Sequence, residues 1–253
     1  MVRGLYIAST GMVVQSKQMD LISNDLANAT TTGYKKSTSI AESFPEVLLT
    51  RLNDYQNGIS NDQIVGSINF GATIDEVYTD YTQGSVINSS NPTDLAIQGD
   101  GFFVINAPEG ELYTRDGSFQ IDQNGNLVTK EGYAVMGMNG PISFGEDFLN
   151  GIHDIVIKET GEIQINGETI DQIQLTAFTD NQNLEKLGDN FYRGGEKQPF
   201  DGYVLQYFTE ASNVNPVTTM VDMIKVSRAY ETNQKMIQTQ DQLLGKAINE
   251  LGK

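Results

Sequence analysis

An α+β fold is predicted by three features of the 253-residue sequence: an apolar seam at 3/4 spacing near each end, and a middle of short β-rich runs broken by turn residues. The expected form is a long N-terminal and a long C-terminal helix paired as a coiled-coil-like core, with a central antiparallel β domain. The expected segments are 1–35 for the first helix, 36–93 for an extended, partly helical connector, 94–212 for the β domain and 213–253 for the last helix.

The first seam is Leu5, Ala8, Met12, Gln15, Met19, Ile22, Leu26 and Ala29, apolar at seven of eight positions. A stripe that alternates three and four residues covers about two positions in seven, so such a helix needs a partner to cover it. The helix should end near Asn28, where three threonines and Gly33 interrupt helical spacing. In the connector, Phe44, Val47, Leu48 and Leu52 follow helical spacing, with Pro45 near the start, and predict a short amphipathic helix.

From about residue 95 the pattern turns to strands. Leu95–Asn106, Leu112–Ile121 and Leu127–Val135 read as a meander, with Asn124-Gly125 as a type I′ turn pair. Ile155–Lys158, Glu162–Ile165, Ile170–Phe178 and Tyr203–Phe208 form a second set, with Asn166-Gly167 as another tight turn. The last helix should start at Pro216, capped by Asn215, and run to Leu251 as a rod roughly 50 Å long. Its seam is Met223, Val226, Tyr230, Asn233, Ile237, Gln240, Leu244, Ala247 and Leu251.

Charge is unevenly spread. The total is −17, but residues 1–36 sum to +2 and residues 213–253 to +1, which leaves −20 on the middle. Such acidity repels phosphates, so nucleic acid and anionic membranes are poor partners, while the near-neutral ends are free to pack. Without cysteine, disulfides and thiolate metal sites are excluded. The N-terminus has no apolar run of secretory type, and no window resembles a membrane span.

Catalytic and ligand motifs fare poorly against plainer readings. Gly99-Asp-Gly101 lacks the third glycine and the following helix of a dinucleotide loop, so close backbone approach explains it better. Asp122, Asn124 and Asn126 alternate like calcium ligands, but Gly125 comes two residues early and Tyr133 stands where the bidentate acid belongs. The single histidine, His153, has no nucleophile elbow to serve. Paired carboxylates for glycoside hydrolysis lack a tryptophan to stack sugars. No catalytic residue, cofactor or metal site is therefore expected.

Several motifs in order resemble those of bacterial flagellar axial proteins of the basal-body rod and hook family. They are Ser23-Asn-Asp-Leu-Ala-Asn-Ala-Thr-Thr-Thr-Gly-Tyr-Lys35, Asp94-Leu-Ala-Ile-Gln-Gly-Asp-Gly-Phe-Phe103, Tyr113-Thr-Arg-Asp-Gly-Ser-Phe119, Glu210-Ala-Ser-Asn-Val-Asn215 and Met223-Ile-Lys-Val-Ser-Arg-Ala-Tyr-Glu-Thr-Asn233. The resemblance implies a non-enzymatic subunit of a hollow helical tube, with paired terminal helices lining an export channel and the β domain facing outward. It implies a homo-oligomeric filament contacting other rod and hook proteins. It also implies passage through the flagellar type III export apparatus without a cleaved signal, to an extracytoplasmic basal body. One moderate β domain points to the distal rod, with the proximal rod or a hook-type subunit as the alternative.

In that setting the assembly interface is expected at Leu5, Ala8, Met12, Met19, Ile22, Asn24, Leu26, Asn28, Gly33, Met223, Val226, Tyr230, Asn233, Ile237, Leu244 and Leu251. Gln15, Asn233 and Gln240 should restrict register. Asn24 and Asn28 should tie backbone groups where the chain turns out at Gly33. A core lacking residues 1–35 and 215–253 should be folded and monomeric. An enzyme would instead depend on His153 or on acids within 95–210, and a secreted adhesin or sugar-binding module would bind its ligand without the ends.

Overall fold

The computed structural model describes residues 2–50, 55–56, 59–60, 64–145 and 155–251. It is α+β, with helix α1 (Val2–Ala27) and helix α2 (Pro216–Leu251) at the two ends and antiparallel β structure between them. The chain divides into two compact units. One holds Met1–Leu26, Ser37–Tyr78 and Pro216–Lys253; the other holds Ala27–Lys36 and Thr79–Asn215.

In the helical unit, α2 starts with Pro216, where a missing N–H costs nothing. Residues 37–50 and 64–79 contribute the paired strands of an antiparallel ribbon. Ser37–Ser43 pairs with Ala72–Thr79, and Val47–Thr50 pairs with Ile64–Ile68 with Val47 opposite Ile68. In place of the helix expected over Phe44–Leu52, Phe44–Glu46 are irregular and Val47–Thr50 is a strand, and Leu52 lies outside the described residues. Its apolar spacing matched a helix by coincidence, whereas a partner strand supplies backbone hydrogen bonds that a four-residue helix cannot. The ribbon rests on α1 at Gly71, where a Cβ would run into the Thr10 hydroxyl.

In the β unit, the strand Phe102–Ala107 is central. Gly110–Thr114 flanks it on one side and Ala134–Gly137 on the other, and Leu175–Phe178 also pairs with it. Phe103, Ile105 and Ala107 face one core; Phe102 and Val104 face a second with Tyr113, Phe178 and Tyr192. Burial on both faces accounts for the unbroken apolar run.

The simple meander does not hold, because the expected strand Leu95–Asn106 breaks at Gly99-Asp-Gly101. Leu95–Gln98 instead pairs with Tyr203–Gln206. At the break Gly99 has φ +120°, and a Cβ on Gly101 would strike the Phe200 ring. Close packing explains both glycines.

The two Asn-Gly turns differ. Asn166 and Gly167 both have positive φ, 51° and 91°, as a type I′ turn requires. At Asn124-Gly125 only the glycine does, at 78°, because the loop between Ile121 and Leu127 is too long for a two-residue turn. Ile170–Phe178 and Tyr203–Phe208 are each divided into two strands, the latter at Tyr207 with φ 66°.

Candidate assembly site

Along α2 the seam residues Met223, Val226, Tyr230, Asn233, Ile237, Gln240, Leu244 and Ala247 are half-buried, whereas most others are exposed. The side chain of Leu251 lies outside the described residues. Along α1, Leu5, Met12, Gln15, Met19, Ile22 and Leu26 are half-buried, and Ala8 and Val14 are buried.

Two contacts bring the helices together. A Cβ on Gly11 would lie 3.0 Å from Asn233 Nδ2, and one on Gly4 would lie 3.3 Å from Gln240 Nε2. From 4 to 11 the α1 number rises by as much as the α2 number falls from 240 to 233, so the helices run antiparallel at these two points. Glycine costs a helix about 1 kcal/mol relative to alanine, and here it makes room for an amide. Gln240 Oε1 is buried and has no hydrogen-bond partner among the described residues.

A second apolar surface has no counterpart in the seam pattern. Val217, Met220, Val221 and Ile224, at 3/4 spacing on the first turns of α2, are exposed, Val217 by 71%. On α1, Tyr6, Ile7 and Val13 are exposed, and so are Ile40, Val47, Leu48, Ile64, Val65 and Val77 of the ribbon. An apolar groove of about 570 Å³ lies in the same unit, lined by Arg3, Tyr6, Phe44, Pro45, Val47 and Phe70. Exposed apolar side chains in such number favour an interaction surface, and the groove's described lining is mostly apolar, with Arg3 its one charged residue.

The chain leaves α1 through a turn at Asn28, whose carbonyl accepts from Thr31 N at 3.1 Å and whose side-chain oxygen accepts from Thr31 Oγ1 at 3.2 Å. Asn24 is exposed on the last turns of the helix. Gly33 has φ +68°, and a Cβ there would collide with the backbone of Arg115 and Asp116, so only glycine fits.

Two residues later stands a buried charge cluster. Lys35 Nζ donates to Glu210 Oε1 at 2.5 Å and to the Thr82 carbonyl at 2.8 Å. Arg115 Nη1 reaches Glu210 Oε2 at 3.3 Å, and Nη2 donates to the Gly99 carbonyl at 2.8 Å. The Gly84 N–H also donates to Glu210, at 2.9 Å. All three charged side chains are within 1% of complete burial.

One carboxylate thus answers two cations. Burial pulls the Lys35 ammonium below its ordinary value, Glu210 opposes that pull, and Arg115 adds to it. Around the cluster, Lys186 Nζ donates to the Lys35 carbonyl at 2.8 Å and lies 4.2 Å above the Tyr34 ring, and Asn190 Nδ2 donates to the Thr32 carbonyl at 3.0 Å.

Lys35, Arg115, Glu210 and Asn213 were visible in the sequence only as members of longer motifs, without a role.

Elsewhere the motifs resolve plainly. Asp122 Oδ1 accepts from Asn124 N at 2.9 Å and from Asn126 N at 2.8 Å. The Asn126 N–H is the largest influence holding the Asp122 carboxyl below its ordinary value, so this carboxylate serves its own turn. Among the described residues no three acidic or histidine side chains gather as metal ligands, and His153 lies outside them. No helix among the described residues is long and apolar enough to cross a membrane.

Residues 5–35 match the family described as Flagella basal body rod protein, residues 96–165 the Flagellar hook protein FlgE/F/G D1 domain, and residues 205–250 the Flagellar basal body rod FlgEFG protein C-terminal family. The chain is 36% identical to a flagellar basal-body rod protein FlgG of Buchnera aphidicola subsp. Schizaphis graminum, covering 97% of this chain and 98% of that one. It is 34% identical to the protein of the same name from Borreliella burgdorferi, over 98% of both. It is also 29% identical to the flagellar hook-basal body complex protein FlhO of Bacillus subtilis, over the full length of both.

Proposed function

The chain belongs to the FlgG family of flagellar basal-body rod proteins, and from that premise we propose that it is a structural subunit of the distal rod, polymerising into a hollow helical tube that transmits torque. The observation that carries this is the state of the ends. Both terminal helices display apolar seams that are only half covered within one chain, and they meet where glycines of α1 receive amides of α2.

In the tube the helices pair as a coiled-coil-like core around an export channel, and further copies cover the remaining apolar surface. Contacts between unlike patches that do not close into a ring give an open filament. Burial at roughly 25 cal/mol per Å² offsets the ordering of the ends. Asn233 and Gln240 set the register, since an amide in an apolar seam tolerates few alignments. The protein sits in the flagellar basal body, reached through the flagellar export apparatus, and its neighbours are copies of itself and other rod and hook proteins.

The test is substitution at the seam. Leu26→Asp or Ile237→Asp should abolish rod assembly and swimming while the β unit melts as before. Normal assembly by both variants would sink the proposal.

A further inference from the structure

The chain leaves the β unit at four places: before Ala27, after Lys36, before Thr79 and after Asn215. One side chain lies beside three of them. Asn213 Oδ1 accepts from the Lys36 N–H at 2.8 Å, and Nδ2 donates to the Asp80 carbonyl at 2.8 Å and to the Thr82 carbonyl at 3.2 Å, with Thr82 Oγ1 at 3.3 Å. Asn213 itself stands two residues from the last exit. The first two of these exits also touch directly, Asp80 N donating to the Lys36 carbonyl at 2.9 Å. The segment that enters at the remaining exit, before Ala27, is tied further along, where Gly33 N donates to the Glu210 carbonyl at 2.8 Å.

We propose that Asn213 is a clamp that gathers these exits into one joint, so that a load on the β unit is shared by several backbone segments side by side. The chemistry singles out asparagine. The site demands an acceptor toward one N–H and two donor hydrogens toward two carbonyls, on a short stem. Aspartate would face both carbonyls with negative charge, serine is too short to span the exits, and alanine offers nothing. The amide orientation follows from its neighbours, because the opposite one would set N–H against N–H and oxygen against oxygen. A subunit that transmits torque needs such a joint, and in that respect the inference rests on the rod function proposed above.

The test compares Asn213→Ala and Asn213→Asp in the full-length chain, reading amide hydrogen exchange within 33–38 and 79–84 together with the melting of the β unit. In Asn213→Ala, exchange at Lys36 should rise tenfold or more with little change in melting. In Asn213→Asp, the 79–84 segment should loosen further than with alanine, which a loss of packing alone would not produce. Unchanged exchange in both variants overturns the clamp. In cells lacking their own copy of this gene, the variants should assemble rods yet swim poorly in viscous medium. Loosened exits with full swimming under load would overturn load sharing. Failure of the unaltered chain to restore swimming, with its exits protected, would count against the rod function and leave the clamp standing on its exchange result.

Discussion

Glu210 is the residue on which the most electrostatic energy turns. Neutralising it by Glu210→Gln removes the buried counter-charge of both Lys35 and Arg115 and leaves Arg115 only the exposed Asp100 at 4.0 Å, a loss of about 3–5 kcal/mol expected in denaturant unfolding. Lys35→Met should cost much less, because it leaves a balanced Arg115–Glu210 pair. Tyr192 offers the opposite case. Its ring is fully buried in an aromatic cluster with Tyr81 and Phe102, but its hydroxyl has no partner among the described residues. Tyr192→Phe should therefore be neutral or stabilise by up to about 1 kcal/mol.

Both phenols also set a pH limit. Burial pushes Tyr81 up from 10.0 to about 12, and burial raises Tyr192 as well. A group that holds its proton more tightly when folded contributes stability that is complete below its unfolded value and is lost as pH climbs through the folded one. Stability should thus decline between pH 10 and 12, and Tyr81→Phe should make that decline shallower in melts taken across the range.

Among the elements, the helices carry a test of what their glycines do. A Cβ on Gly245 would meet nothing within 4 Å, so Gly245→Ala should raise the melting point through helix propensity worth about 1 kcal/mol. Gly11→Ala has the same propensity gain but meets Asn233, so it should gain less, or lose, until paired with Asn233→Ala. A double-mutant cycle in thermal unfolding measures that coupling. The helices were legible in the sequence because their signals are local: a 3/4 period, Pro216 at one start and Gly33 beyond one end. The ribbon was not, since the strand Val47–Thr50 takes its form from Ile64–Ile68, and no periodicity within four residues identifies a distant partner. The strand Phe102–Ala107 was legible as apolar but not as central, because its neighbours are chosen by packing on both faces.

For the whole molecule, the β unit is built from residues 27–36 together with 79–215. The first cut in a test fragment therefore belongs after Leu26, not after Lys35. A fragment of residues 27–215 should melt cooperatively, whereas one starting at Ser37, without Gly33 and Lys35, should melt at markedly lower temperature in calorimetry. The seams could be read from sequence, but the buried cluster could not, because nothing near Lys35 in the chain announces a carboxylate 175 positions away. That distance has a kinetic meaning. Lys35 and Glu210 are 175 positions apart, so the bond between them forms only once nearly the whole polypeptide is at liberty. The turn at Lys35 therefore gains its counter-charge late, whereas neighbouring strands such as Phe102–Ala107 and Gly110–Thr114 can pair without waiting for Glu210.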